Sequence, residues 1–264
     1  MKRYAIAALA FAVLTAWLPE PAYAAAQTIK VGVSSGAQAE IMNEVRRVAA
    51  TEGLALDIVV FDQPSRIDAA LVAKQIDVAS FEDEPALDAQ RKQHGYALTS
   101  VATTVTFPVA LYSRKLTNLV QLQRGATIAI PDDPAGTARA LILLQNETLL
   151  TFRDSAGLHA TLADITSNRL HLKIRQVPRA RLYDSLDSVA FAVIDSDTAA
   201  RSGLRPARDG LSLEDARSPY ANVLTVRDSD RQHPWVAQLV AAYHSNDVAH
   251  FILTRYQDSV RRPW

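Results

Sequence analysis

The stretch Thr28-Ile29-Lys30-Val31-Gly32-Val33-Ser34-Ser35-Gly36, with the segment that follows it to Gly53, decides the fold class. Residues 29–33 are a short run rich in β-branched side chains, which predicts a strand. Gly36 marks a turn. Beyond it Ile41, Val45, Val48 and Ala49 recur at helical spacing on one face, and Gly53 is a helix stop. Working outward, the same strand–turn–helix grammar recurs. Strands are expected over 56–61 and 76–80, helices over 67–74 and 85–94, the second closed by Gly95, and an almost unbroken extended run covers 101–112. The second half opens with a strand at 127–130. Asp133 then stands as a helix cap and Pro134 at the first helical position, with the helix running on through Leu149. Further strands are expected at 171–177, 191–194 and 222–226, separated by helical stretches around Leu162, Leu186 and Ala199, and two helices lie within 234–256. Such alternation is the signature of an α/β chain built on mostly parallel sheets.

Composition narrows the function classes. The 264 residues carry 28 Lys plus Arg against 28 Asp plus Glu and no cysteine. A balanced charge leaves no electrostatic footprint for nucleic acid. The absence of cysteine removes thiol catalysis, iron–sulfur clusters and any lipid attached through a cysteine. Residues 1–24 read as an export signal: Lys2 and Arg3 are followed by an apolar stretch, by Pro19-Glu20-Pro21 and by an A-x-A site at Ala22-Tyr23-Ala24. An N-terminal membrane anchor is the alternative. Cleavage before Ala25 removes two basic and one acidic residue and leaves a net charge of −1. The expected product is a soluble periplasmic protein.

Each candidate for chemistry has a plain structural alternative. Gly32-Val33-Ser34-Ser35-Gly36 is a literal G-x-S-x-G at a strand-to-helix turn, as a serine hydrolase requires, but it falls in the first strand–helix unit and no histidine can be assigned as its partner. The competing reading is a small-residue loop at the carboxyl end of a strand, where open α/β sheets place ligands. The six histidines, at 94, 159, 171, 233, 244 and 250, form no H-E-x-x-H and no i, i+4 pair, so no metal or other cofactor is expected. Glu82-Asp83-Glu84 precedes Pro85, where carboxylates cap a helix start as readily as they bind a cation. Arg139 sits early in its helix, on the unfavourable side of the dipole. It either holds an anion together with backbone N–H groups or covers apolar helix with its stem.

Several strings together resemble the NlpA-type substrate-binding proteins of ABC importers, whose best-known members bind methionine. They are Ile29-Lys-Val-Gly-Val33, Ile76-Asp-Val-Ala-Ser-Phe81, Pro85-Ala-Leu-Asp88, Phe107-Pro-Val-Ala-Leu-Tyr-Ser113, Ile130-Pro-Asp-Asp-Pro134, Arg139-Ala-Leu-Ile-Leu-Leu-Gln145, Phe191-Ala-Val-Ile194 and Ser218-Pro-Tyr-Ala-Asn222. The resemblance implies a two-lobe periplasmic binding protein fold of type II, with the ligand in the cleft between lobes and no catalytic residues. Lobe 1 would comprise residues 25–108 plus 223–264 and lobe 2 residues 109–222, with crossovers near 107–112 and 222–226. The implied partners are a small-molecule ligand and an inner-membrane permease with its ATPase, and the chain is expected to be a monomer.

The resemblance also marks the ligand-binding positions. Phe81 matches an aromatic wall and Arg139 a carboxylate clamp. Asp83 stands where family members show histidine, Phe107 where they show tyrosine, and Thr103, Gly136 and Asp195 where they show asparagine. The family's lipobox cysteine is absent, which implies a form without lipid. Asp195 is open to two readings: it pairs with a ligand ammonium while Arg139 holds the carboxylate, or both Asp195 and Asp83 face solvent and local backbone donors. Methionine or a related amine-bearing solute is the expected cargo. A periplasmic hydrolase using Ser34 and a non-transporting sensor or scaffold of the same fold are the alternatives.

Overall fold

The computed structural model describes residues 28–264; the expected export signal lies outside them. The first sheet uses β1 (Ile29–Ser34), β2 (Leu56–Phe61), β3 (Val78–Asp83) and β4 (Leu98–Thr103), with α1 (Ala37–Thr51), α2 (Ile67–Val72) and α3 (Glu84–His94) between them. The chain then crosses to a second sheet through residues 104–109. There it forms β5 (Ala110–Tyr112), β6 (Thr127–Pro131), α4 (Pro134–Asn146), a small hairpin of β7 (Thr151–Phe152) and β8 (Ile165–Ser167), β9 (Lys173–Val177), α5 (Leu182–Ser185), β10 (Phe191–Ile194), α6 (Ser196–Arg201), α7 (Pro206–Asp209) and β11 (Gly210–Leu213). Residues 214–221 return it to the first sheet as β12 (Asn222–Arg227), and α8 (Pro234–Tyr243) and α9 (Asn246–Tyr256) follow.

The strand orders are β2-β1-β3-β12-β4 and β11-β5-β10-β6-β9. Pairing is parallel at β1 with β2 and β3, and at β6 with β9 and β10, while β12 and β5 run antiparallel to their neighbours. Each sheet is therefore mixed. Apolar side chains cover both faces of the first sheet: Ile41, Val45 and Val48 join Leu239, Tyr243 and Ile252 in one core, and Ile67, Leu71, Ile76 and Leu87 form another. The second sheet repeats this with Leu141 and Leu144 in one cluster and Leu182, Leu186 and Ala199 in another.

Local chemistry explains the element starts. Asp133 caps α4 by accepting from the Gly136 N–H at 2.8 Å, with Pro134 at the first helical position. Gly95 closes α3 in the left-handed region at φ 69°. The extended run expected over 101–112 is broken in the structure, because residues 104–109 leave one sheet before joining the next. The crossovers accordingly lie at 104–109 and 214–221, and the segments 110–112 and 222–227 belong to the sheets themselves. The helix expected through Leu149 ends at Asn146, and the stretch around Leu162 is a single 3₁₀ turn.

The C-terminal residues add a third extended segment at the crossover, joined to it by one isolated bridge. Thr106 and Arg261 exchange both backbone hydrogen bonds, at 2.8 and 2.9 Å. Trp264 donates its indole N–H to the Thr104 carbonyl at 2.6 Å and stacks on His244 with ring centroids 4.6 Å apart.

Candidate ligand-binding site

A cavity of about 870 Å³ opens between the two sheets, lined from both sides. From the first come Ser34 at the end of β1, Gln38 in the first turn of α1, Phe81 of β3 and Asn222 at the start of β12. From the second come Arg139 of α4, Arg179, Asp195 at the end of β10, and the first turns of α6 and α7; Phe107 lines it from the crossover. These are strand ends and helix starts, where backbone direction leaves room for a solute. The Phe81 carbonyl accepts from the amides of Gln38 at 2.9 Å and Asn222 at 3.1 Å, which fixes the backbone carrying the ring.

Of the seven sequence-predicted positions, Phe81, Phe107, Arg139 and Asp195 line this cavity, and Asp83, Thr103 and Gly136 are not among its lining residues. Asp83 caps α3, accepting from the Ala86 N–H at 2.9 Å. Burial pushes its carboxyl up, the Ala86 N–H and Arg139 pull it down, and Glu214 adds a further upward push. Thr103 ends β4 and lines a separate groove of about 610 Å³ with Glu84, Leu158 and Arg217. Gly136 is packed behind the site: a Cβ there would stand 2.6 Å from the Pro131 Cβ.

Arg139 is neither a surface arginine nor an open clamp. Its Nε lies 3.0 and 3.1 Å from the two Glu214 oxygens, and its Nη2 bonds Glu214 and the Phe107 carbonyl. Its guanidinium carbon lies 4.7 Å from the centre of the Tyr220 ring. Glu214 in turn accepts from Ser218 Oγ at 2.7 Å and the Val109 N–H at 3.2 Å. Asp195 caps α6, accepting from the Thr198 N–H at 2.8 Å and the Thr198 hydroxyl at 2.9 Å, with Arg179 Nη1 at 3.6 Å. Arg179 is bound more closely to Asp133, through Nε at 2.6 Å and Nη2 at 2.9 Å, and this pairing holds the Asp133 carboxyl below its usual range.

Arg179, Glu214, Gln38 and Asn222 were not legible as site residues. Glu214 lies 75 positions from Arg139 and reads as an ordinary surface acid. The Ser34 motif has a structural explanation. Gly32 is packed beneath Ile76, whose Cδ1 would stand 2.4 Å from a Cβ, and Gly36 has φ 82° at the start of α1. The Ser34 hydroxyl bonds the Gln38 amide oxygen, which is no general base.

Two lobes, each a mixed sheet clothed with helices, joined by crossovers and sharing a polar cavity, define a binding protein of the periplasmic two-lobe class. The chain belongs to the NlpA lipoprotein family, whose model matches residues 29–264. It is 38% identical to the D-methionine-binding lipoprotein MetQ of Escherichia coli K12 over 83% of this chain and 82% of that one. It is 36% identical to outer membrane lipoprotein 3 of Mannheimia haemolytica, covering 90% and 91%. Among solved structures, a nutrient binding protein from Burkholderia cenocepacia bound to methionine superimposes with a TM-score of 0.73 at 38% identity, covering 89% of this chain and all of that one.

These relatives correct one expectation. The family and several of its members are named lipoproteins, one of them of the outer membrane, so the reading of a soluble, lipid-free periplasmic protein is withdrawn. That reading rested on the missing cysteine, which excludes attachment through a cysteine of these 264 residues and nothing more. Among the described residues no helix is long and apolar enough to cross a membrane.

Proposed function

We propose that the chain is the substrate-binding protein of an ABC importer, capturing methionine or a related small amine-bearing solute between its lobes and presenting it to a permease with its ATPase. What supports this reading most is the cavity, because both sheets line it and its volume falls within the range of small-molecule sites. Relatives described as methionine-binding support the solute class. Phe81 and Phe107 supply apolar wall, and Arg139, Asp195, Ser34 and Asn222 the polar groups. The bodies that close are residues 25–108 with 223–264 and residues 109–222, moving about the crossovers as hinge proteins do. The protein acts as a monomer and without catalysis; Asp83 and Gly136 shape the site from outside the cavity wall, through the α3 cap and the packing against Pro131, while Thr103 belongs to the separate groove.

Native mass spectrometry of freshly purified protein tests the reading. A single small-solute adduct per chain, lost on mild activation, is expected. A bare chain that no amino acid stabilises against heat would contradict it.

A further inference from the structure

The C-terminal segment is fastened to the body of the first sheet and reaches the body of the second at two points. On the first body, Tyr256 donates its hydroxyl to Glu40 at 2.7 Å and the Gln257 N–H bonds the Leu253 carbonyl. Val260 is buried in the same core as Ile41 and Leu239, and Thr106 and Arg261 exchange backbone hydrogen bonds. Between these anchors the chain turns at Gln257, with φ 53° and ψ −138°. Residues with a side chain rarely adopt that conformation, and it persists only where the surroundings impose it. The turn so formed, Gln257–Ser259, lies against α7 of the second body, and Gln257, Ser259 and Pro206 of α7 all line the cavity. Two residues on, Arg261 donates from Nη1 to the Glu214 carbonyl at 2.6 Å. Glu214 directly follows β11, and its N–H bonds the carbonyl of Val109, the residue before β5, at 3.0 Å, so this carbonyl moves with the second sheet.

Each contact joins a group carried by one body to a group carried by the other, so rotation about the crossovers changes the spacing at both. Both are made in the arrangement described here, and separating the bodies breaks them. A hinge of two crossovers alone has no such restraint. We propose that residues 257–261 are a latch: the Gln257–Ser259 turn and the Arg261 guanidinium hold the second body at a defined spacing from the first and restrict how far the cavity opens. The latch goes beyond the capture reading and needs no solute to act, so its test stands apart from that reading.

Spin-label distance measurement tests it, and a chain without cysteine takes two labels with no other change. Arg46 of α1 and Lys173 of β9 are exposed residues, one on each body. The full chain with Arg46→Cys and Lys173→Cys, labelled and stripped of bound solute, is expected to give one distance population no wider than the labels' own motion. Adding Arg261→Ala is expected to widen that population by more than about 2 Å, the scale of a domain rearrangement. Arg261→Lys, which keeps a cationic donor, is expected to stay nearer the narrow population. The Arg261 side chain is half-buried and its pairing with Thr106 is made by backbone, so the truncation leaves the segment's anchors in place. A broad or divided population in the latch-intact protein overturns the latch by itself, whatever the variant does. A population unchanged by Arg261→Ala also overturns it, including where the melting temperature falls, since that would make Arg261 a stabilising contact and no restraint on the bodies.

Discussion

Arg261 donates from Nη1 to the main-chain carbonyl of Glu214 at 2.6 Å, so the last residues of the chain are tied to the loop whose side chain holds Arg139. Together with the Thr106 bridge, this makes the C-terminal segment a third connection beside the two crossovers. Trp264 anchors its end by stacking and by one hydrogen bond. Trp264→Ala is expected to lower stability by about 1–2 kcal/mol, from the lost ring contact and indole bond. Urea denaturation reads this, and an unchanged midpoint would show the tail to be a passive passenger.

The Arg139–Glu214 pair has an asymmetric energetic signature. Removing one partner strands a poorly solvated charge, whereas removing both leaves no uncompensated group. Arg139→Ala is expected to cost about 3 kcal/mol, and the double variant Arg139→Ala with Glu214→Ala less than the sum of the singles. A double-mutant cycle by chemical denaturation decides this, and additive losses would mean that the two side chains are not coupled.

Asp68 and Glu82 form a buried acidic pair, 3% and 9% exposed, with Asp68 Oδ1 and Glu82 Oε1 lacking partners. Burial, then the Asp68 charge, pushes the Glu82 carboxyl up to about 9. The folded protein thus keeps a proton that the unfolded chain releases near the ordinary glutamate value of 4.5. Between those values stability falls as pH rises, because the folded state binds more protons. Glu82→Gln supplies a neutral group permanently. It is expected to raise stability at pH 8 by on the order of 1–2 kcal/mol and to flatten the decline between pH 5 and 9. Melting temperatures across that range check it; a variant whose pH profile parallels the wild type would contradict the retained proton.

The Gly32–Gly36 motif is a packing device in this chain. Gly32→Ala forces a methyl group into the buried Ile76 side chain and is expected to cost about 1–3 kcal/mol. Ser34→Ala is expected to leave any trace ester turnover unchanged, since the Ser34 hydroxyl is bonded to an amide. Ester hydrolysis that disappears in Ser34→Ala would restore the hydrolase alternative.

The parts of this structure legible in sequence are those written locally. Ile29 to Val33 is a run rich in β-branched residues and Phe191 to Ile194 an apolar one, and Asp133-Pro134 is a cap followed by a residue suited to the first helical position. β11, Gly210–Leu213, is only four residues long and carries no β-branched side chain, so its brief alternation of leucine with small residues is a weak local mark and its pairing with β5 makes the strand. The site follows the same division. Phe81 is marked by the resemblance alone and Arg139 also by its place early in α4, but what Arg139 does depends on Glu214, distant in sequence and brought close only by the return crossover. Asp195 shows the opposite case. Its cap onto Thr198, three residues on, is a local pattern present in the sequence, and the substitution of a family asparagine drew the reading toward a ligand contact.

Hydrogen–deuterium exchange with and without saturating L-methionine tests most directly that one solute is held by both lobes. The account predicts parallel protection of peptides covering Ser34 to Gln38 and Asp195 to Ala200, which lie on opposite walls of the cavity. Protection confined to one wall, protection at the Ser100 to Thr103 groove instead, or no protection at either wall would contradict it.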